Sequence, residues 1–276
     1  MLDSAKYVNH LNKSIEFGKN GIFLTENKLR NYTWDYDTDY DEISNLHKGV
    51  AKRTFKVIVH AQTEAEGLAA RNTVYEILDA DALSGEQGKL YIGDYYLKCC
   101  CVSLSKEKWF YTKRYIEFEV TVASDCGNWV KETTYSYGAV SSDSVLADGA
   151  KEYDYEYTYY YAQVGGQKVF TNPALSGTDF IMRFHGPVKN PLVIIGTNTY
   201  EINATVDDGE YIEVNSMDKT IYLVGSKGDR TNIFWLASKQ SYIFEKISTG
   251  SVNVYWDGSF ALDIVLLQER GEPEWL

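Results

Sequence analysis

Tyr115-Ile116-Glu117-Phe118-Glu119-Val120-Thr121-Val122-Ala123 is the stretch that decides the fold class. Ile116, Phe118, Val120 and Val122 alternate with Glu117, Glu119 and Thr121. A period of two with β-branched and aromatic residues on one side describes a strand that buries one face. The polar alternates predict a wet opposite face, as in an antiparallel sheet covered on one side.

Toward the N-terminus the same alternation returns. In Arg53 to His60 the residues Phe55, Val57 and Val59 point one way, and Ile58 on the other face predicts partial cover on both sides. Leu90 to Ile92 and Tyr95 to Leu104 flank Gly93-Asp94, a pair suited to a tight hairpin because glycine takes positive φ without strain. Ser105 to Lys108 reads as a polar connection. One helix is expected over 63–80: Thr63 and Glu66 form a capping box, and Ala70, Val74, Ile77 and Leu78 fall at helical spacing. Its single apolar stripe lays it on a sheet. Leu83 to Gly88 reads as a turn-rich exit. Residues 1–50 read as irregular and acidic, with Trp34 to Glu42 an exposed loop between short strands.

Toward the C-terminus, Asp125 to Trp129 breaks the alternation and sets an expected domain boundary near 130. Thr133 to Gly149 is rich in serine, glycine and small residues, as in a linker or long loop. Tyr153, Tyr155, Tyr157, Tyr159 and Tyr161 follow, five tyrosines on one face of an extended strand. Strands are then expected at Phe180 to His185, Leu192 to Thr197, Thr199 to Val206, Tyr211 to Asn215, Thr220 to Val224, Ser241 to Lys246, Ser251 to Trp256 and Phe260 to Leu267. Short strands at this spacing, almost without helical pattern, predict a β-sandwich. All four prolines lie in this half, so the halves are differently built. The expected architecture is mainly β: an N-terminal β-sandwich domain at 1–130 with one helix, and a second β-sandwich domain at 131–276 that begins with a linker at about 131–150.

The 276 residues suffice for two cores without disulfides or metals. With 39 acids against 27 bases the net charge is −12, which disfavours specific nucleic-acid binding because the summed field repels phosphates. No apolar run approaches the length of a bilayer span, and Met1 to Phe17 lacks the apolar stretch of a secretory signal, so folding in a cytoplasm with no membrane role is expected. Cys99, Cys100 and Cys101 are adjacent and Cys126 is alone. They make neither a disulfide framework nor a zinc pattern and read as reduced packing residues.

Signs of catalysis are few. His10, His47, His60 and His185 lack partners at metal-ligand spacing, and neither a nucleophile elbow nor a P-loop is present. Asp207-Asp208-Gly209 reads as a turn, and Glu117 with Glu119 as the solvent face of a strand rather than a glycosidase pair. No enzyme activity, cofactor, metal or catalytic residue is assigned, and ligand and interface residues stay unknown. The tyrosine face suits a subunit contact, since tyrosine is apolar at one end and hydrogen-bonds at the other. The alternative is a carbohydrate-binding module recognising host cell-wall saccharides, with binding lost on Tyr157→Ala or Tyr159→Ala.

The order of elements carries a resemblance. Gly88-Lys89-Leu90-Tyr91-Ile92-Gly93-Asp94-Tyr95-Tyr96, a long hairpin, and the strand from Tyr115 closing in Gly127-Asn128-Trp129-Val130 make up the first part. Phe180-Ile181-Met182-Arg183-Phe184-His185-Gly186-Pro187, Asn190-Pro191, Asp208-Gly209-Glu210-Tyr211-Ile212-Glu213-Val214, Lys219-Thr220-Ile221-Tyr222-Leu223, and the ending from Gly258-Ser259-Phe260 to Glu272-Pro273-Glu274-Trp275 make up the second. Together they span nearly the whole chain and resemble the distal tail protein family of long-tailed (siphovirus-like) bacteriophages and prophages. One departure is Gly127-Asn128-Trp129, where the family often has a proline followed by an aromatic residue.

The resemblance implies a structural protein of the virion tail tip, assembled in the bacterial host cytoplasm. It implies an N-terminal domain that forms a hexameric ring and a C-terminal galectin-like β-sandwich. As partners it implies other copies of the chain, the major tail tube protein, the tail hub or tail-associated lysin, and host-adhesion components such as a receptor-binding protein. DNA would pass through the ring without specific binding, and the negative net charge suits such a conduit. A phage-like bacteriocin would use the same part.

Overall fold

The structure, a computed structural model, describes residues 5–109, 113–139 and 168–275. The tyrosine run from Tyr153 to Tyr161 lies outside the described residues. Two compact units emerge, Met1–Lys131 with Glu269–Leu276, and Glu132–Gln268. The expected second domain took in everything from 131 to 276, whereas the residues from Glu269 onward belong to the first unit.

The first unit contains β1 (Ala5–Val8), β2 (Ser14–Glu16), β3 (Ile22–Asn27), β4 (Asp35–Asp39), β5 (Glu42–His47), β6 (Ala51–His60), α1 (Glu64–Ser84), β7 (Gly88–Ile92), β8 (Tyr95–Trp109), β9 (Tyr115–Ser124) and the start of β10 (Trp129–Tyr137). Neighbouring strands run in the orders β2-β1-β7-β8 and β8-β9-β6-β3, all antiparallel. The long strand β8 serves both: Tyr95 to Cys99 pairs with β7, and Cys100 to Trp109 pairs with β9. Its continuation through Ser105 to Lys108 replaces the expected polar connection. Tyr7, Leu90, Leu97 and Cys99 bury with Val57, Phe118, Val120 and Val122 in one core. Each large apolar side chain removed from water stabilises the unit by about 1.5–3 kcal/mol.

The alternation in β9 is present, but its polar face is not uniformly wet. Glu117 is only 6% exposed. The strand lies between β6 and β8, and Ile58 and Lys108 are the cross-strand neighbours of Glu117.

Helix α1 begins as expected: the Thr63 hydroxyl accepts from the Glu66 amide at 3.2 Å and the Glu66 carboxylate accepts from the Thr63 amide at 3.2 Å. It runs past Ala80 to Ser84 and ends where Gly85 takes φ 69°. The extension has a physical cause. Asp81 interrupts the apolar stripe in the sequence, yet it faces inward and is fully buried on partners from β1 and the following loop. Gly67 lets the helix approach the chain closely, since a Cβ there would overlap the Lys113 carbonyl.

The second unit holds the rest of β10, β11 (Lys168–Asn172), β12 (Asp179–His185), β13 (Val188–Lys189), β14 (Leu192–Ile195), β15 (Asn198–Glu201), β16 (Thr205–Val206), β17 (Tyr211–Asn215), β18 (Thr220–Val224), β19 (Arg230–Asn232), a 3₁₀ turn at Phe234–Leu236, β20 (Gly250–Tyr255) and β21 (Leu262–Arg270) as far as Gln268. One sheet runs β19-β18-β17-β12-β21 and the other β11-β20-β14-β15. Phe180, Met182, Phe184, Val214 and Ile264 of the first share a core with Phe170, Val193, Tyr200 and Val254 of the second. This is a β-sandwich.

Three expectations change here. Ser241 to Lys246 is a loop rather than a strand. Its carbonyls serve side chains, with the Tyr242 oxygen accepting from Asn198 Nδ2 at 3.0 Å and the Glu245 oxygen from the Tyr200 hydroxyl at 2.8 Å. Thr199 to Val206 divides into β15 and β16. Thr133 to Tyr137 is strand, because Tyr135 and Tyr137 pack on the second core, their rings 4.7 Å from Phe170 and 5.3 Å from Trp256.

Candidate interaction surfaces

His10, Asp81 and Ser84 come together in the first unit. His10 Nδ1 lies 2.5 Å from Asp81 Oδ1, and the Ser84 hydroxyl is 3.3 Å from His10 Nε2. The composition is that of a hydrolytic triad, but the geometry is not. Ser84 Oγ is also 3.5 Å from Nδ1, so it lies beside the Cε1 edge or over the ring rather than on the Nε2 lone-pair axis. Its proton is committed to the Ala80 carbonyl at 2.6 Å. The group sits at the C-terminal end of α1, whose carbonyl dipoles repel a developing oxyanion. Asp81 also takes the Tyr7 hydroxyl at 2.5 Å and the His10 amide at 2.8 Å. Burial and the Asp81 carboxylate push the Tyr7 phenol far above its ordinary range. This is a polar lock that joins β1 to α1.

The other histidines have different surroundings. His185 Nε2 meets Asp263 Oδ2 at 2.8 Å, next to a ladder in which Glu213 is held by Arg183 and Arg230, each at 2.9 Å. His47 lies 3.9 Å from Asp37 on an exposed hairpin, and His60 meets the edge of Tyr115. No group of three metal-ligating side chains converges among the described residues. Gly209 turns at φ 79°, and Glu210 N donates to Asp207 O, so Asp207 to Glu210 forms the expected turn.

Arg53 anchors the far end of the first unit. Its guanidinium donates to the carbonyls of Leu29, Asn31, Gly127 and Gly271 and lies 5.7 Å from the Trp129 ring centre. Arg30 donates to Pro273 O at 2.5 Å and lies over Trp275 at 4.0 Å. These two cations, with Asn128 Nδ2 on Glu269 at 3.4 Å, hold the last residues of the chain on the first unit.

Surfaces suited to partners are more evident than reacting groups. Among the described residues the hairpin β4–β5 pairs only with itself, and every residue in both strands is exposed. Tyr36 pairs with Leu46 and Thr38 with Ile43, while Tyr40 at the tip is 96% exposed. A groove of about 680 Å³ between α1 and β8–β9 is walled by Leu78, Val102, Leu104 and Phe118. In the second unit Phe234 and Trp235 project from the 3₁₀ turn beside exposed Tyr242. Phe234 and Tyr242 both touch the buried Phe244 ring, at centroid distances of 6.0 and 5.9 Å.

The sequence offers no site residues, and Trp34 to Glu42 reads as a loop where the structure has the hairpin β4–β5. A signal was present: Tyr36 and Thr38 alternate with Asp35, Asp37 and Asp39, but the run of acids masked it.

No protein-family model matches the chain, and no curated protein matches it. Solved structures do. The chain aligns with the crystal structure of the Dit protein of phage SPP1, which is described as a paradigm of the hub adsorption apparatus in phages infecting Gram-positive bacteria. The TM-score is 0.61 at 8% identity, covering 98% of this chain and 100% of that one. It also aligns with a chain of the phage p2 baseplate in its activated conformation with calcium, at TM-score 0.63 and 12% identity, covering 99% of this chain and 100% of that chain. The strontium form of that baseplate gives 0.62 and 12%, with the same coverage. At these identities the likeness is one of fold.

Proposed function

We propose that this chain is a distal tail protein, a structural subunit of the tail tip of a long-tailed phage, a prophage or a related injection device. Its copies close into a hexameric ring that joins the tail tube to the tail hub or tail-associated lysin and carries host-adhesion components. The alignment over almost the full length of both chains with a phage hub protein and a phage baseplate chain carries this reading. Fold alone does not assign function. The hairpin β4–β5 adds a physical reason for assembly, because an exposed ribbon with apolar side chains and open edges is stabilised when a partner covers it. A head-to-tail contact between like subunits closes into a ring when the rotation per copy divides the circle. The chain works by shape, and its polar clusters serve packing. In this reading the first unit forms the ring and the second, as a galectin-like sandwich, faces outward.

Electron microscopy of the purified full-length protein with native mass measurement tests this, alone and with a candidate tail tube protein. Six-fold rings are expected. A monomer at every concentration and with every neighbouring tail component would refute it.

A further inference from the structure

One concave region of this acidic protein is basic. Lys28, Lys48, Lys52 and Arg53 line a pocket of about 350 Å³ in the first unit, and Asp35 is the one acid in its wall. Several cations elsewhere on the folded surface meet carboxylates: Lys56 meets Glu26 at 3.4 Å, Lys131 meets Asp94 at 3.4 Å, and Lys246 meets Asp179 at 2.7 Å. The four pocket cations have no carboxylate within ion-pair reach among the described residues.

Their partners are neutral. Lys48 Nζ donates to Asn128 Oδ1 at 2.6 Å and lies 4.6 Å from the Trp34 ring centre and 5.3 Å from that of Tyr32. Arg53, only 3% exposed, spends its guanidinium on backbone carbonyls. Arg53 Nη1 and Nη2 are satisfied by carbonyls; among the described residues its Nε–H has no partner, and no carboxylate pairs with either cation. Burial first, and the neighbouring Arg53 second, push the Lys48 ammonium below its ordinary range, and Glu269, which reaches it through Asn128, offsets them only in part.

The donors choose the anion. Arg53 contributes field but has no free fork for bidentate carboxylate recognition, which leaves flexible lysine ammoniums as contact groups. Several point charges around one cavity suit an oxyanion that carries more than one charge and accepts from several directions. We propose that this pocket binds a phosphoryl group, free or carried on a larger molecule, with Lys48 as its anchor and the exposed Lys28 and Lys52 at its rim. The site lies at the base of the hairpin β4–β5, with Asp35 and Lys48 at its two ends, and adds a ligand to a protein otherwise read as structural.

The test is the unfolding temperature of the full-length protein in inorganic phosphate and in chloride at matched ionic strength. Phosphate is expected to raise it by several degrees at about a hundredfold excess over Kd. Lys48→Met is expected to weaken the phosphate effect about tenfold or more. The double variant Lys28→Met/Lys52→Met, altered only at exposed positions, should weaken it in the same direction and keeps the test valid if Lys48→Met misfolds. Glycerol 3-phosphate binding tighter than inorganic phosphate would identify a carried phosphoryl group, and equal or weaker binding the free ion. No rise beyond chloride, or an undiminished rise in the double variant, overturns the proposal. So does a hexaglutamate peptide that stabilises more than either phosphate, since the pocket would then be a docking site for acidic protein segments.

Discussion

Tyr7 and Asp81, 74 positions apart in the chain, share a 2.5 Å hydrogen bond inside the first unit. The phenol lies on β1 and the carboxylate on the last turn of α1, so the bond ties the first strand to the helix. Gly88 makes room for it, because a Cβ there would fall 2.5 Å from Asp81 Oδ2 and 2.8 Å from the Tyr7 hydroxyl. Removing either partner leaves the other buried. Tyr7→Phe is expected to lose about 1.5–3 kcal/mol, the value of a hydrogen bond to a charged group. Asp81→Ala should lose more, about 3–5 kcal/mol, because it leaves the phenol only a 3.4 Å bond to the Cys99 carbonyl, orphans the His10 amide and breaks the His10 pair. Amide exchange in β1 and α1 measures both. Equal losses, or losses below about 0.5 kcal/mol, would contradict the lock.

The same core should be sensitive to alkali. Burial is the main force that raises the Cys101 thiol from an ordinary 9.0 to about 11, and it raises the Cys99 thiol and the Tyr7 phenol still further. These groups are neutral when protonated, and the folded state holds their protons more tightly than the unfolded chain. Their contribution is therefore complete below the unfolded values and declines as pH rises through about 9 for the thiols and about 10 for the phenol. Each group contributes a slope of up to about 1.4 kcal/mol per pH unit. Urea unfolding between pH 8 and 11 should show a falling midpoint, with a shallower fall in Cys101→Ala. A flat profile in the parent protein would count against burial of these groups.

Asp263 gives the opposite sign in the second unit. Burial acts to raise its pKa, but the Ser136 hydroxyl, His185 and Arg183 outweigh it and hold the carboxyl below the ordinary 3.8. A lowered carboxylate pKa stabilises the fold above the unfolded value, and that stability fades as pH falls through the folded one. His185→Gln should therefore shift the acid transition of the second unit to higher pH. An unchanged acid midpoint would show that the pair contributes little.

Arg30 makes a prediction about the end of the chain. Its bonds to the Pro273 and Glu274 carbonyls and its contact with Trp275 hold residues that follow Arg270, a tryptic site. Arg30→Met keeps the stem and removes these charge-assisted bonds, each worth about 1.5–3 kcal/mol. Cleavage after Arg270 under native conditions should accelerate about tenfold or more. Cleavage at the parental rate would mean that Arg53 and Asn128 suffice to hold the segment.

Much of this architecture is legible in the sequence wherever one local pattern has one meaning. The alternation at Ile116, Phe118, Val120 and Val122 and the box of Thr63 with Glu66 each specify an element without distant information. The misreadings share a cause. Asp81 looks like a helix exit until Tyr7 and His10 arrive from the other end of the unit. Ile243 and Phe244 look like strand residues, but Tyr200 and Asn198 claim the backbone around them. Arg30 and Arg53 are unremarkable basic residues until the last turn of the chain returns to present its carbonyls. A basic pocket in an acidic protein is likewise invisible to a charge sum.

The hairpin β4–β5 allows stability and assembly to be separated. Its side chains bury nothing in their own unit, so replacing Asp35–His47 with a short glycine-serine turn should change unfolding stability by less than about 1 kcal/mol, as for exposed residues generally. The ribbon's apolar side, with Tyr36, Ile43 and Leu46, and its edges are left uncovered by the described residues and can meet another molecule. If copies of the chain associate through it, the deletion leaves a folded monomer where the parent forms rings. Substituting Tyr36, Ile43 and Leu46 together by serine should do the same without shortening the chain. Native mass measurement read beside the unfolding midpoint distinguishes the cases. A deletion variant that still forms six-fold rings would remove the hairpin from the contact, and one that unfolds would show that the ribbon supports its own unit.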